Sequence, residues 1–236
     1  MPYLTVVTYS NSTSKDLFIT EHSLNSQTYR DFEWVVLNDQ KEVNVSKAEY
    51  TLFLSPGEFL TDKDTLQKVF DKPHSEDIVF GNSYIRRPFR HKQIVGPHRD
   101  DISIFHMMEN PIPLSSAFIN HRFFNSSIVS ANIIEPSHWL ELLLSKFFLE
   151  NCTLKHVGSV ISYTTAESYK NMFNIDHIRQ NEIIQTIMPR LVNSQNRLYS
   201  QSETNEALKL FFFLQHNKIA LFFYNKFIKP QGGLDA

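Results

Sequence analysis

Leu4-Thr5-Val6-Val7-Thr8-Tyr9 opens the chain as an unbroken β-branched and apolar run. That is the composition of a strand buried on both faces. Asn11-Ser12-Thr13-Ser14 breaks the run and supplies candidate N-caps. Leu17, Thr20 and Leu24 then recur at helical spacing, with Lys15, Asp16, Glu21 and His22 mostly elsewhere on the helix. Gln27-Thr28-Tyr29-Arg30-Asp31 is polar and turn-like. Phe32-Glu33-Trp34-Val35-Val36-Leu37 predicts a second buried strand, stopped by Asn38-Asp39. Strand, helix and strand of this length form a βαβ unit with a right-handed crossover. Ligands of such units sit beyond the carboxyl ends of the strands, here Thr8, Tyr9, Ser10, Asn38 and Asp39. The first turn lacks a glycine-rich loop, which argues against a dinucleotide fingerprint or a Walker-type phosphate loop.

Further along, Tyr50-Thr51-Leu52-Phe53-Leu54 predicts a third strand ended by Ser55-Pro56-Gly57. Thr61-Asp62 predicts a helix start, and Leu66, Val69 and Phe70 continue it until Pro73. Asp77-Ile78-Val79-Phe80-Gly81-Asn82 predicts a fourth strand and a turn, with Ser83 to Arg86 returning as a hairpin. Arg86-Arg87-Pro88-Phe89-Arg90-His91-Lys92 is a basic loop, either a solvated face or a means of neutralising a diphosphate. Ser115 to Asn120 predicts a strand, and Leu140, Leu143, Leu144 and Phe147 form the stripe of a helix from about residue 137. Thr153 to Val157 and Val160 to Tyr163 predict short strands around Gly158-Ser159. From Ile175 the chain predicts apolar helices, rich in phenylalanine near Leu210 to Leu214 and Ile219 to Tyr224. Such stripes suit a packed bundle, a surface resting on lipid, or a homodimer contact.

Length and composition bound the answer. The 236 residues suit one α/β domain plus an appendage, and 42% hydrophobic content supports a sizeable core. A net charge of -2 argues against a nucleic-acid partner. Cys152 is the single cysteine, which excludes an intrachain disulfide and a cysteine-rich zinc site. A core strand at the N-terminus predicts no signal peptide, and no apolar run reaches the roughly 20 residues of a membrane span. The expected location is cytoplasmic, with peripheral membrane contact through the C-terminal helices as an option.

The ordered series Thr5 to Ser10, Ser23-Leu24-Asn25-Ser26-Gln27-Thr28-Tyr29 and Asp31 to Asp39 resembles the opening of a family 2, GT-A-fold glycosyltransferase. Asp77-Ile78-Val79-Phe80-Gly81-Asn82 and Phe118-Ile119-Asn120-His121-Arg122-Phe123-Phe124 extend the resemblance, which reaches Ser168. It implies a GT-A-like three-layer α/β/α sandwich with a mixed, mostly parallel sheet, spanning residues 1–170, and a C-terminal helical appendage, 171–236. It implies an enzyme moving a sugar from a nucleotide-diphosphate donor to a hydroxyl acceptor, glycan or lipid-linked, with inversion. Thr8, Tyr9, Ser10 and Asp39 would bind the nucleotide, Asp39 through its base.

The resemblance also locates departures. The family's acidic metal motif corresponds to Leu54-Ser55-Pro56-Gly57-Glu58, where only Glu58 is acidic, so Mn²⁺ or Mg²⁺ would be weakly held there. Glu58 is otherwise a helix-flanking acid. The family's general base precedes an aromatic residue; here Glu135-Pro136-Ser137-His138-Trp139 offers His138 or Glu135. The alternative is a non-catalytic GT-A-fold protein that binds a nucleotide sugar or a protein partner.

Overall fold

The computed structural model describes residues 2–9, 15–37, 48–86, 92–97, 110–124, 139, 143 and 152–171. Strand β1 is Leu4–Tyr9, helix α1 Lys15–Asn25 and strand β2 Phe32–Leu37. Then come β3 (Tyr50–Phe53), β4 (Phe59–Leu60), α2 (Thr65–Val69), β5 (Ile78–Arg86) and β6 (Gln93–Val95). A 3₁₀ turn, Leu114–Ser116, leads into β7 (Ala117–Asn120), and the chain of described elements closes with β8 (Leu154–Thr165) and α3 (Ala166–Asn171).

The sheet runs β2-β1-β3-β7-β5-β8-β4, with β6 on the flank of β5. Parallel pairing joins β1 to β2 and β3, and β5 to β8. β7, β4 and β6 run against these five strands. The mixed sheet of the expected GT-A fold is therefore present, and the parallel β1-α1-β2 unit lies at one edge of it.

The pleat sends alternate residues to opposite faces. Leu4, Val6, Tyr50, Leu52, Val79 and Phe118 join Leu24 of α1 and Leu66 and Val69 of α2 in one apolar core. Their neighbours Val7, Phe53, Ile78, Phe80, Ala117 and Ile119 are buried as well. Full burial of both sets explains why β1 and β3 read as continuous apolar runs.

Four local expectations need correction. First, β2 is half-buried rather than buried, because it ends the described strand order and has one neighbour. Second, no turn falls at Gly81-Asn82; β5 runs through to Arg86. A Cβ at position 81 would lie 2.4 Å from Ile161 Cγ1 and 2.5 Å from the Ser159 carbonyl, so the glycine serves close strand approach instead. Third, Leu154 to Thr165 is one strand; it bulges against β5 around Gly158, whose φ is +70°. Fourth, α2 starts at Thr65, because Thr61 is drawn to β8: its amide donates to Ile161 O at 2.9 Å and its hydroxyl to Val160 O at 2.8 Å.

The chain falls into two compact units, Met1–Ile175 and Asp176–Ala236. The predicted C-terminal helices lie outside the described residues. Among the described residues no helix is long and apolar enough to cross a membrane.

Candidate functional site at the carboxyl ends of the parallel strands

The turn after β3 is built by its own sequence. Ser55-Pro56-Gly57-Glu58 places proline second and glycine third, and Gly57 has φ of +87°. The Glu58 amide donates to Ser55 O at 2.9 Å, which closes a type II turn. Helix α1 grips this turn. The Gly57 amide donates to Asp16 O at 3.0 Å and to the Thr20 hydroxyl oxygen at 3.1 Å. The Thr20 hydroxyl in turn donates to Glu58 O at 2.8 Å. Thr20 is fully buried, so the helical stripe seen in the sequence includes a polar residue that holds the turn.

Glu58 folds back onto the turn. Its Oε2 accepts the Ser55 amide at 2.8 Å, and its Oε1 accepts the Thr164 hydroxyl at 2.5 Å. The residue is 3% exposed. Burial pushes its carboxyl above the usual range, while hydrogen bonds from Thr164, Ser55, Ser168 and Thr165 pull it down; burial wins. Ser55 and Ser168 share a hydroxyl contact at 3.3 Å. Thr165 caps α3 by accepting the Ser168 amide at 3.0 Å. The loop after β3, the end of β8 and the start of α3 thus form one hydrogen-bonded unit.

At the end of β1, Thr8 is fully buried and its hydroxyl oxygen accepts the Trp34 indole N–H at 3.0 Å. Tyr9 stacks on Phe53 with ring centroids 6.2 Å apart and an interplanar angle of 9°. Thr8 therefore braces the wall at the strand ends, and Tyr9 is the half-exposed residue beside it. Ser10, Asp39, Glu135 and His138 lie outside the described residues. Trp139, which follows His138 in sequence, is fully buried and donates its indole N–H to Ile112 O at 2.7 Å. Its ring lies 6.3 Å from that of Phe123.

Two polar anchors escape the sequence reasoning. Gln27, expected in a turn, is 1% exposed. Its amide group donates to Ser23 O at 3.1 Å and Asp62 O at 2.8 Å, and its Oε1 accepts the Leu66 amide at 3.1 Å. It thereby satisfies an orphan donor in the first turn of α2. Asn82 is also buried; its Nδ2 donates to Gly96 O at 2.8 Å and Pro97 O at 3.0 Å, and its Oδ1 pairs with His156 Nε2 at 3.0 Å. The Gln27 signal lies in the Gln-Thr pair closing the helix pattern, but a lone polar residue gives no sequence cue to burial.

The residues do not fit a divalent-cation site of the kind the family motif implies. Such a site needs several oxygens facing the ion. Glu58 points into the fold with both oxygens engaged, and Ser55 and Gly57 bring no carboxylate. Asp16 is the exposed acid nearby: a Cβ on Gly57 would lie 3.6 Å from its Oδ1. Among the described residues no three His, Cys, Asp or Glu side chains gather as a metal site.

No family model and no curated protein matches this chain. Solved structures do. S. aureus TarS 1–349 in complex with UDP matches with a TM-score of 0.53 and 12% identity, covering 97% of this chain and 76% of that one. The same protein with UDP-GlcNAc gives 0.54 at 11% identity over the same shares, 97% and 76%. Full-length S. aureus TarS gives 0.55 at 11%, and there 98% of this chain spans 46% of the other. At 11–12% identity these matches show the fold: the described mixed α/β sheet of this chain is of the GT-A type seen in TarS.

Proposed function

We propose that this protein is a glycosyltransferase that moves a sugar from a nucleoside-diphosphate donor to a hydroxyl group of a glycan or lipid-linked acceptor. The observation that carries this reading is the fold shared with TarS, a protein solved with UDP and with UDP-GlcNAc. The β1-α1-β2 unit supports it, because its strand ends meet the braced turn after β3 at the edge where such folds take ligands.

In this reading Tyr9, Ser10 and Asp39 line the nucleotide cleft, Thr8 supports it from behind, and Asp39 accepts the imide N–H of a uracil-type base. The acceptor hydroxyl loses its proton to His138 or Glu135 and attacks the anomeric carbon. The carbon–oxygen bond to the diphosphate breaks on the opposite side, so configuration inverts. Arg86, at the carboxyl end of β5, supplies positive charge for the departing diphosphate. Residues 171–236 form a helical appendage, and the protein works in the cytoplasm, where the appendage can rest on a membrane or pair with a second copy.

A second reading is favoured by one observation, the buried and fully engaged Glu58. It makes the protein a GT-A-fold binder of a nucleotide sugar without transfer. Incubation with UDP-GlcNAc and a panel of hydroxyl acceptors, followed by assay of released UDP, separates the two. Acceptor-dependent UDP release supports the transferase. Tight UDP-GlcNAc binding with no release under any acceptor supports the binder.

A further inference from the structure

We propose that Glu58 is a positioning residue that fixes the turn after β3 to the end of β8, and that the donor's diphosphate is taken at this turn without a divalent cation. The first half stands on geometry; the second rests on the nucleotide-sugar reading.

A carboxylate that ligates a cation directs oxygen lone pairs toward the ion and shares it with other oxygens. Glu58 does the opposite. Its Oε2 takes a backbone amide of its own turn, and its Oε1 takes a hydroxyl from β8. Both oxygens thus face donors of the fold, and with the residue 3% exposed neither is turned toward an ion at the surface of the turn. The two neighbouring motif positions are committed elsewhere. Ser55 pairs with Ser168, and the backbone amide of Gly57 is held by Asp16 and Thr20. A side chain at position 57 would also have to adopt φ of +87°, which disfavours anything but glycine.

The turn instead gains rigidity. Glu58 ties Ser55 to Thr164, and Ser168 follows one helical turn after Thr165 in the same unit. Positive charge from the chain itself stands at the end of the adjoining strand, on the face opposite to the Thr164–Glu58 contact. Arg86 ends β5 directly opposite Thr165, one position beyond the Ile85–Thr164 pair. A guanidinium there can meet phosphate oxygens by charge-assisted hydrogen bonds.

The test is thermal unfolding of the full chain as wild type, Glu58→Gln, Glu58→Ala and Asp16→Asn, each with MnCl₂, EDTA, UDP with EDTA, or UDP with MnCl₂. Glutamine keeps an acceptor for one donor and the shape of the side chain. We expect Glu58→Gln to melt within about 2 °C of wild type and Glu58→Ala to melt at least about 4 °C lower. MnCl₂ alone should leave the wild-type midpoint unchanged, and UDP should stabilise wild type and Glu58→Gln equally in EDTA and in MnCl₂. A rise with MnCl₂ alone that Glu58→Gln or Asp16→Asn removes would overturn the proposal. So would stabilisation by UDP that requires MnCl₂, or a Glu58→Gln variant as damaged as Glu58→Ala. If UDP shifts nothing under any condition the nucleotide reading fails, while the MnCl₂ arm and the glutamine–alanine comparison still decide the role of Glu58.

Discussion

The Thr164 hydroxyl donates to Glu58 Oε1 at 2.5 Å, across a sequence separation of 106 residues. This bond joins the turn after β3 to the last residues of β8, and it is buried. Its consequence for pH can be worked out by sign. Burial raises the Glu58 carboxyl above its ordinary value in the folded state. The unfolded chain then ionises at lower pH than the folded one. Stability attributable to this group is highest below the unfolded pKa and falls as pH rises toward the folded pKa. Glu58→Gln should flatten that part of the profile. Chemical denaturation of both proteins from acidic to neutral pH checks it.

Asp77 should behave with the opposite sign. Burial pushes its carboxyl up, but hydrogen bonds from the Thr153 amide and hydroxyl and from Arg122 outweigh this and hold it below the ordinary range. The Thr153 contacts are both 2.7 Å and the Arg122 Nε contact 2.6 Å. Its contribution is present above the unfolded pKa and disappears as pH falls through the folded value. Asp77→Asn should lower the midpoint of a thermal melt at neutral pH and cost less in acid.

Gln27→Leu should destabilise the fold without touching the strand ends directly. The substitution leaves the Leu66 amide and the Asp62 carbonyl without the partners they have at 3.1 and 2.8 Å. Stranding buried backbone groups costs about 1–3 kcal/mol. Urea unfolding should show a lower midpoint with an unchanged slope.

Asn82→Asp should be harmful even though the two side chains have nearly the same shape. The Asn82 amide group donates to the carbonyls of Gly96 and Pro97. An aspartate would face the same oxygens with no N–H to offer, at a cost of about 1–3 kcal/mol or more for a charged group. Asn82→Ser, which keeps a donor, should lie between wild type and Asn82→Asp in a thermal melt.

How much of this is legible in the sequence varies by element. β1 and β2 stand at the bounds their sequences predict, because uninterrupted apolar runs flanked by polar turns leave little choice. The spacing of Leu17, Thr20 and Leu24 places α1. The turn expected at Gly81-Asn82 is absent because glycine there answers a tertiary contact, the approach of Ile161, which no local pattern records. The expected division of β8 is absent for a related reason: Gly158 bends a strand that pairs on both sides of the bend. At the site, the sequence shows that Ser55 and Gly57 bring no carboxylate. It does not show that Glu58 faces Thr164, since pairing across that separation depends on the β4–β8 and β5–β8 registers.

The most direct test of the central claim is calorimetric titration of UDP into the full chain, wild type and Asp39→Ala, in EDTA. Wild type should show saturable one-site binding, and most of it should be lost when the carboxylate proposed to accept the base N–H is removed. An Asp39→Ala protein that is folded and binds UDP as tightly as wild type would contradict the base assignment. A folded wild type that binds neither UDP nor UDP-GlcNAc would contradict the nucleotide-sugar function itself.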